Sequence, residues 1–306
     1  MNTPCQLSIL IAAHNCEPYL ANTLDTIFAS LGTAQQRAEI IIINDASTDA
    51  TQSIIDDYAA RYSQIRTDRT AFRNVGKVRN HAVSLARGEY ILMVDSDDSL
   101  LAGALQERLT LLQQRAPDIL LSKIIEVRGD DSLPSWQPDE PIELNRDQSI
   151  ERFLVHRDYQ AHFIGQFFSR RLFQQHAFPD FICYEDTWLF PLMLTLSTRT
   201  LYSRAGFYLY RKHAHSLSSD VNAEKIRCLI AATQNMDRVL PHAFQHLITC
   251  HWLDIANRYH TQLQNTPQGE TVRTRIRQVS LLRFLLNGKI RLSYKRKMLA
   301  VRRRGW

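Results

Sequence analysis

Long apolar runs are missing from this chain of 306 residues; nothing in it approaches the roughly 20 consecutive apolar residues that a membrane-spanning helix needs. The apolar segment Leu7–Ala13 is short and has no basic region before it, which argues against a secretory leader. Cysteine is sparse: Cys5, Cys16, Cys183, Cys228 and Cys250, an odd number with no metal-ligand spacing. That pattern argues against a disulfide scaffold and fits a reducing cytoplasm. Internal repeats and low-complexity tracts are absent too. Acidic residues are missing from one place in particular: Thr271–Trp306 holds twelve Lys or Arg and no Asp or Glu. The chain's net +6, less the +12 of this tail, leaves −6 on the first 270 residues. A basic tail implies an acidic partner: membrane lipid, a charged glycan or nucleic acid. No recognised module accompanies the charge, which argues against nucleic acid.

What is present is an alternation of strand and helix signals through the first half. Leu7–Ala13, Glu39–Ile43 and Tyr90–Val94 are short apolar runs of the kind that buried parallel strands show. Asn15 offers a cap for a helix reaching about Ser30, and Ser47 or Asp49 for one reaching about Tyr62. The turn at Asn74–Gly76 leads into a helix through Ala86, which Arg87-Gly88 ends. A helix near Ala102–Gln114 and a strand near Ile119–Val127 follow. Strands separated by helices of this length predict βαβ units and a mostly parallel sheet. Residues 128–148 hold Pro134, Pro138 and Pro141 among polar residues and read as a loop. Beyond it the pattern predicts strands near Gly165–Ser169 and Leu201–Arg211, a helix near Asp186–Leu196, and a largely helical region from Asn222.

Open α/β sheets bind ligands beyond the carboxyl ends of their strands. Three polar clusters fall at such ends: His14-Asn15, Asn44–Asp49 and Asp95-Ser96-Asp97-Asp98. The third is the most informative. Two carboxylates one residue apart at a strand end can converge on a hard divalent ion, Mg²⁺ or Mn²⁺, that bridges to substrate phosphates. The bland alternative is a solvated loop in which Asp98 or Ser99 caps the next helix.

Four motifs in order carry a family resemblance: Ile11-Ala12-Ala13-His14-Asn15, Ile43–Asp49, Asn74-Val75-Gly76-Lys77-Val78-Arg79-Asn80, and Gly88-Glu89-Tyr90-Ile91 leading to Asp95-Ser96-Asp97-Asp98. Together they resemble the successive motifs of the inverting glycosyltransferase family 2, of the bacterial cell-surface glycan type, well over about residues 6–127 and more loosely over 160–220. The resemblance implies a GT-A fold: an α/β domain with a mostly parallel central sheet, followed here by a helical C-terminal region. It implies a nucleotide-sugar site built from Ala12, His14, Asn15, Asp45, Arg79, Asp95 and Ser96. Within it Asp45 bonds the base, typically uracil, and Asp97 with Asp95 ligates Mn²⁺ or Mg²⁺. This chain departs from the family pattern at Ala12 for proline, Asn44 for aspartate and Ala46 for glycine. His14 in place of tyrosine puts the base contact in doubt.

Tyr184-Glu185-Asp186-Thr187-Trp188 resembles the family's E-D-x-x-F segment, whose aspartate is the expected general base. An acceptor hydroxyl must lose its proton as it attacks the anomeric carbon, and an exposed, ionised carboxylate at a helix start suits that task. Glu185 then binds acceptor hydroxyls. Alternatively both carboxylates only complement the helix dipole. Tyr210–Ser216 resembles a further family segment in which His213 approaches the metal, against the alternative of a surface or packed histidine. Val272–Arg304 mixes apolar residues with cations, so it reads either as an amphipathic segment on an anionic membrane surface or as a solvated, partly disordered tail.

These signals lead to a catalytic unit over 1–220, with a donor half at 1–127 and an acceptor half at 128–220, and a helical region over 221–306. The expected activity is metal-dependent transfer of a sugar from a nucleotide-sugar, a UDP-sugar by resemblance, to a glycan or lipid-linked acceptor in polysaccharide or lipopolysaccharide synthesis. The expected place is the cytoplasm, peripheral on the inner face of the membrane. A catalytically silent nucleotide-sugar-binding subunit of a glycan-assembly complex is the alternative. A sugar nucleotidyltransferase would want a Gly-rich basic loop after the first strand, and Ala12–Glu17 is neither.

Overall fold

The computed structural model describes residues 5–128, 133–212 and 222–305. The first half runs β1 (Leu7–Ala13), α1 (Leu20–Leu31), β2 (Ala38–Asp45), α2 (Thr51–Arg61), β3 (Ile65–Thr70), α3 (Val75–Leu85), β4 (Tyr90–Asp95), β5 (Ser99–Leu100), α4 (Ala104–Arg115) and β6 (Ile119–Val127). Then come β7 (Ile142–Leu144), α5 (Arg146–Leu154), β8 (Phe167–Ser169), α6 (Glu185–Leu196) and β9 (Thr200–Arg211). Six helices follow: α7 (Ala223–Val239), α8 (Gln245–Arg258), α9 (His260–Leu263), α10 (Pro267–Arg277), α11 (Leu281–Leu286) and α12 (Leu292–Arg303).

One mixed sheet organises the first two thirds, in the order β3-β2-β1-β4-β8-β6-β9-β5, with β7 also on β9. β3, β2, β1 and β4 are mutually parallel, as are β6 and β9, whereas the short strands β5, β7 and β8 pair antiparallel. β2 is buried along its whole length, as a central strand covered on both faces must be. Near its start the buried carboxylate of Glu39 accepts from Ser8 Oγ, Arg87 N and Arg66 Nη1. Burial raises its pKa, but these bonds outweigh burial and hold it below the ordinary carboxylate value. Gly88 runs so close to β1 that a Cβ there would meet Ser8 N at 2.5 Å, which explains a glycine ahead of β4.

The structure departs from the sequence expectation in identifiable places. β3 went unread because its sequence, Ile-Arg-Thr-Asp-Arg-Thr, buries only Ile65; it is an edge strand with little apolar signal. The 128–148 stretch is not wholly a loop, since β7 lies in it and α5 starts at Arg146 behind an Asn145–Gln148 capping box. α1 begins at Leu20, too far along for Asn15 to cap it. Asp49 does serve α2, accepting from Thr51 N at 3.1 Å. The basic C-terminal segment is not a loose tail: Val272, Ile276, Phe284, Ile290, Met298 and Val301 are buried, in the same apolar cluster as the sheet.

Candidate active site

Register sets the site's first edge. Ala12 lies beside Ile43 on one side and Asp95 on the other, so the ends of β1, β2 and β4 come out level. The loops beyond them brace one another. His14 Nδ1 lies 2.6 Å from the Asp45 carbonyl, Asn15 N donates to Ser47 Oγ, and Asn15 Oδ1 accepts from Thr48 N at 2.8 Å. Asn15 thus joins two loops, which is a role the capping expectation missed. Asp45 is buried, and its Oδ1 accepts from Phe72 N and Thr70 Oγ1. Ser96 turns toward α1, where its carbonyl accepts from Thr23 Oγ1.

The second edge is a joint between α3 and the loop before α6. Asn74 caps α3 by accepting from Lys77 N, and its Nδ2 donates to Asp180 and to the Phe181 carbonyl. Asn80 exchanges two bonds with the backbone of Phe178, each 2.9 Å. A Cβ on Gly76 would meet the Pro179 carbonyl oxygen at 2.8 Å, so only glycine lets the helix come this close. The Asn74–Asn80 motif is therefore a docking surface, and it carries Arg79 to the centre of the site.

Arg79 is buried over the Phe178 ring and makes three ion pairs: Glu185 Oε1 at 2.9 Å, Asp186 Oδ1 at 2.7 Å and Asp95 Oδ1 at 3.3 Å. Burial opposes its charge, but the carboxylates of Asp186, Asp95 and Glu185 hold its pKa above the ordinary arginine value. Asp186 Oδ2 also accepts from Phe163 N at 3.3 Å. The expectation of an exposed carboxylate at a helix start is thereby corrected: Glu185 and Asp186 open α6 as expected, but beneath the surface. Burial, then Asp186, push Glu185 up to about 7, against the pull of Arg79. Burial raises Asp186 as well, again opposed by Arg79. The two titrate as a pair that holds a proton near neutrality.

Asp98 is not a helix cap. It is buried, accepts from Tyr208 Oη at 2.6 Å and Arg211 N at 2.8 Å, and is pushed up to about 8 by burial and by Asp95. It therefore locks the acidic loop to β9. Asp95 and Asp97 remain as the oxygen donors of the run. Asp95, Glu185 and Asp186 share the one Arg79 guanidinium, so carboxylates outnumber that cation, and a divalent ion would find oxygen donors in Asp95 and Asp97. Among the described residues no group of three or more His, Cys, Asp or Glu side chains is placed to hold a metal ion by itself, and His213 lies outside the described residues.

The sequence profile of Glycosyl transferase family 2 matches residues 8–176, more than half of the chain. The chain belongs to that family. Its relatives include EpsH of Bacillus subtilis (strain 168), 36% identical over 98 residues that make up 32% of this chain and 27% of EpsH. The poly(ribitol-phosphate) beta-glucosyltransferase of Bacillus spizizenii is 32% identical over 126 residues, 40% of this chain and 20% of that protein. This family 2 chain thus aligns with only a fifth to a third of the length of such curated relatives. Among solved structures, S. aureus TarS 1–349 in complex with UDP-GlcNAc superposes with a TM-score of 0.71 at 19% identity, over 98% of this chain and 92% of that one. The mannosyltransferase PcManGT from Pyrobaculum calidifontis, in complex with GDP-Man and Mn²⁺, gives 0.56 at 14% identity, over 99% and 87%. These neighbours establish the GT-A fold.

Two parts of the family 2 site were invisible in the sequence. Tyr208, fully buried in β9, accepts from Asp95 N at 3.0 Å while donating to Asp98; a tyrosine in an apolar strand gives no sign of such a role. The segment before β8 supplies Phe163 N to Asp186 and places His162 in the field of Asp95 and Arg79, although nothing in its spacing marks it. Tyr184, in the left-handed region at φ 66°, lies against Tyr259 and Arg258 at the end of α8.

Proposed function

We propose that the chain is an inverting glycosyltransferase that moves a sugar from a nucleotide-sugar, a UDP-sugar, to a glycan or lipid-linked acceptor in cell-surface polysaccharide or lipopolysaccharide synthesis. The catalytic unit is 1–220, and the protein works peripherally at the inner membrane face. The observation that carries this reading is the single guanidinium of Arg79 joined to Asp95 on the donor side and to Glu185 and Asp186 on α6. The TarS neighbour, solved with UDP-GlcNAc, supports a UDP-sugar donor.

Asp45 Oδ1 is already committed to Thr70 and Phe72, so Oδ2 meets the base. Ala12 and His14 flank it. Asp95 and Asp97 hold Mn²⁺ or Mg²⁺, which when bound supplies positive charge to the diphosphate. Asp186 takes the proton of the acceptor hydroxyl while that oxygen bonds to the anomeric carbon and the bond from that carbon to the diphosphate oxygen breaks. The electron pair leaves with the nucleotide diphosphate, and the configuration inverts. Arg79 keeps Asp186 ionised against its burial and, being shared with Asp95, turns toward the diphosphate as the donor enters. Glu185 shares the proton of the pair.

The test is UDP release with Mn²⁺ over a panel of donors and acceptors. Asp97→Ala is expected to lose metal-dependent donor binding. Asp186→Asn is expected to keep donor binding and lose transfer by about a thousandfold; near-wild-type transfer would refute the base assignment. The silent-subunit reading draws on the engagement of both Asp186 oxygens. Donor binding without turnover on every acceptor would favour it.

A further inference from the structure

The three most exposed large apolar side chains among the described residues all lie in the basic C-terminal region: Leu286 at 75%, Leu282 at 68% and Leu292 at 62% exposed. Leu299 is exposed as well. Their spacing is ordered. Leu282 and Leu286 are one turn apart on α11. On α12, Leu292, Arg296, Leu299 and Arg303 fall at i, i+4, i+7 and i+11, a single helical face. The opposite face of α12 is the packed one, with Met298 and Val301 buried and Tyr294 Oη donating to Asp254 Oδ2 at 2.6 Å on α8. α11 packs against α12, so the exposed leucines are carried by two adjoining helices.

The cations divide in the same way. Lys297 pairs with Asp254, Lys289 with Glu151 and Arg275 with Asp237, all toward the body of the protein. Arg283, Arg296 and Arg303 are exposed, and no carboxylate partners them among the described residues. An outward face of leucines interleaved with uncompensated arginines, on helices whose other side is fixed in the core, matches the interface of a bilayer bearing anionic headgroups: the leucines enter the acyl boundary and the arginines meet phosphates. Four exposed leucines on two adjoining helices exceed the singly scattered apolar residues that an ordinary water-facing surface carries. An acidic glycan would meet the arginines and leave the leucines unexplained.

We infer that the outer face of α11 and α12, with Leu282, Leu286, Leu292 and Leu299 among Arg283, Arg296 and Arg303, seats the protein on an anionic lipid surface. This rests on the proposed role at the membrane and narrows it from a whole basic tail to one face of two helices. α8 carries Asp254 beneath α12, and its end abuts Tyr184, next to the Glu185-Asp186 pair, so the seat and the cleft share one rigid element.

The test is co-flotation of the full chain with vesicles of phosphatidylglycerol and phosphatidylcholine. The wild type is expected to float with these, to release as salt rises, and to stay unbound to pure phosphatidylcholine. Leu282→Ser/Leu286→Ser/Leu292→Ser and, separately, Arg296→Gln/Arg303→Gln are each expected to weaken partitioning by about tenfold at an unchanged unfolding midpoint, since every site is exposed. Variants that float like the wild type would overturn the inference. So would equal binding to neutral vesicles, or a dimer in sedimentation that the leucine variant dissolves. Donor-dependent UDP release on a soluble acceptor, without vesicles, is expected to be the same in all three proteins. Its absence in the wild type would remove the transferase reading and leave the flotation result standing.

Discussion

Arg79 is the residue on which the site's electrostatics turn, because it pairs with Asp95 and also with Glu185 and Asp186, the two carboxylates whose pKa values burial raises. The consequence is a pH dependence. With Glu185 pushed up to about 7 by burial and Asp186, the pair retains a proton on the acid side, and the proposed base is expected to be lost as pH falls through that value. Glu185→Gln removes the like charge beside Asp186 and leaves Arg79 to it alone. The acid limb of kcat is then expected to move down by about one pH unit or more. A pH–rate profile checks this, and an unmoved limb would separate Glu185 from the base. At this scale the sequence was partly legible. Asp95, Asp97, Glu185 and Asp186 stood out because they form acidic clusters at a strand end and a helix start, inside segments that resemble the family's motifs. Burial of the last two did not show, since nothing local records that Arg79 and the backbone of Phe163 meet them. Tyr208 could not have been found, because its partners Asp95 and Asp98 lie far back in the chain.

Among the elements, α3 shows what a motif can mean physically. Asn74, Gly76 and Asn80 contact protein backbone and side chains across the joint, so most of the pattern that signals a donor site is in fact a helix-docking device. Gly76→Ala puts a methyl 2.8 Å from the Pro179 carbonyl oxygen, and that backbone cannot rotate away as a side chain would. The expected result is a loss of about 1–3 kcal/mol in stability by urea unfolding, together with a fall in transfer as Arg79 shifts from Asp186. Unchanged activity would show that the joint does not set the Arg79 position. The strong strands β1, β2 and β4 were legible because burial on both faces writes a continuous apolar run. β3 and β7 were not, one being a polar edge strand and the other three residues between prolines and a helix cap.

For the whole molecule, the apolar core runs without a break from the sheet into α7–α12. Trp252, fully buried on α8, donates from Nε1 to Asp237 on α7, and Arg275 on α10 also binds Asp237. Truncation before Pro267 would strip Val272, Ile276, Phe284, Met298 and Val301 from that core. It is expected to lower the unfolding midpoint sharply or give insoluble protein, as thermal unfolding and solubility would report; a truncated chain as stable as the whole would mean that these helices are only appended. The basic composition of the C-terminal segment was plain in the sequence, but its folding was not, because buried residues alternate with exposed leucines and cations too closely to separate by eye.

The contact of Tyr184 with Tyr259 and Arg258 bears on chimeras. α8 touches the residue before the Glu185-Asp186 pair at one end and underlies the helix with the leucine face along its length, so the C-terminal helices are not a cassette that can be exchanged between relatives at a linker. A graft that keeps the donor half of one protein and takes the end of another must transplant both sides of that contact or accept a misplaced α6. Retargeting such an enzyme to a different acceptor therefore means recoding a buried seam, not swapping a tail.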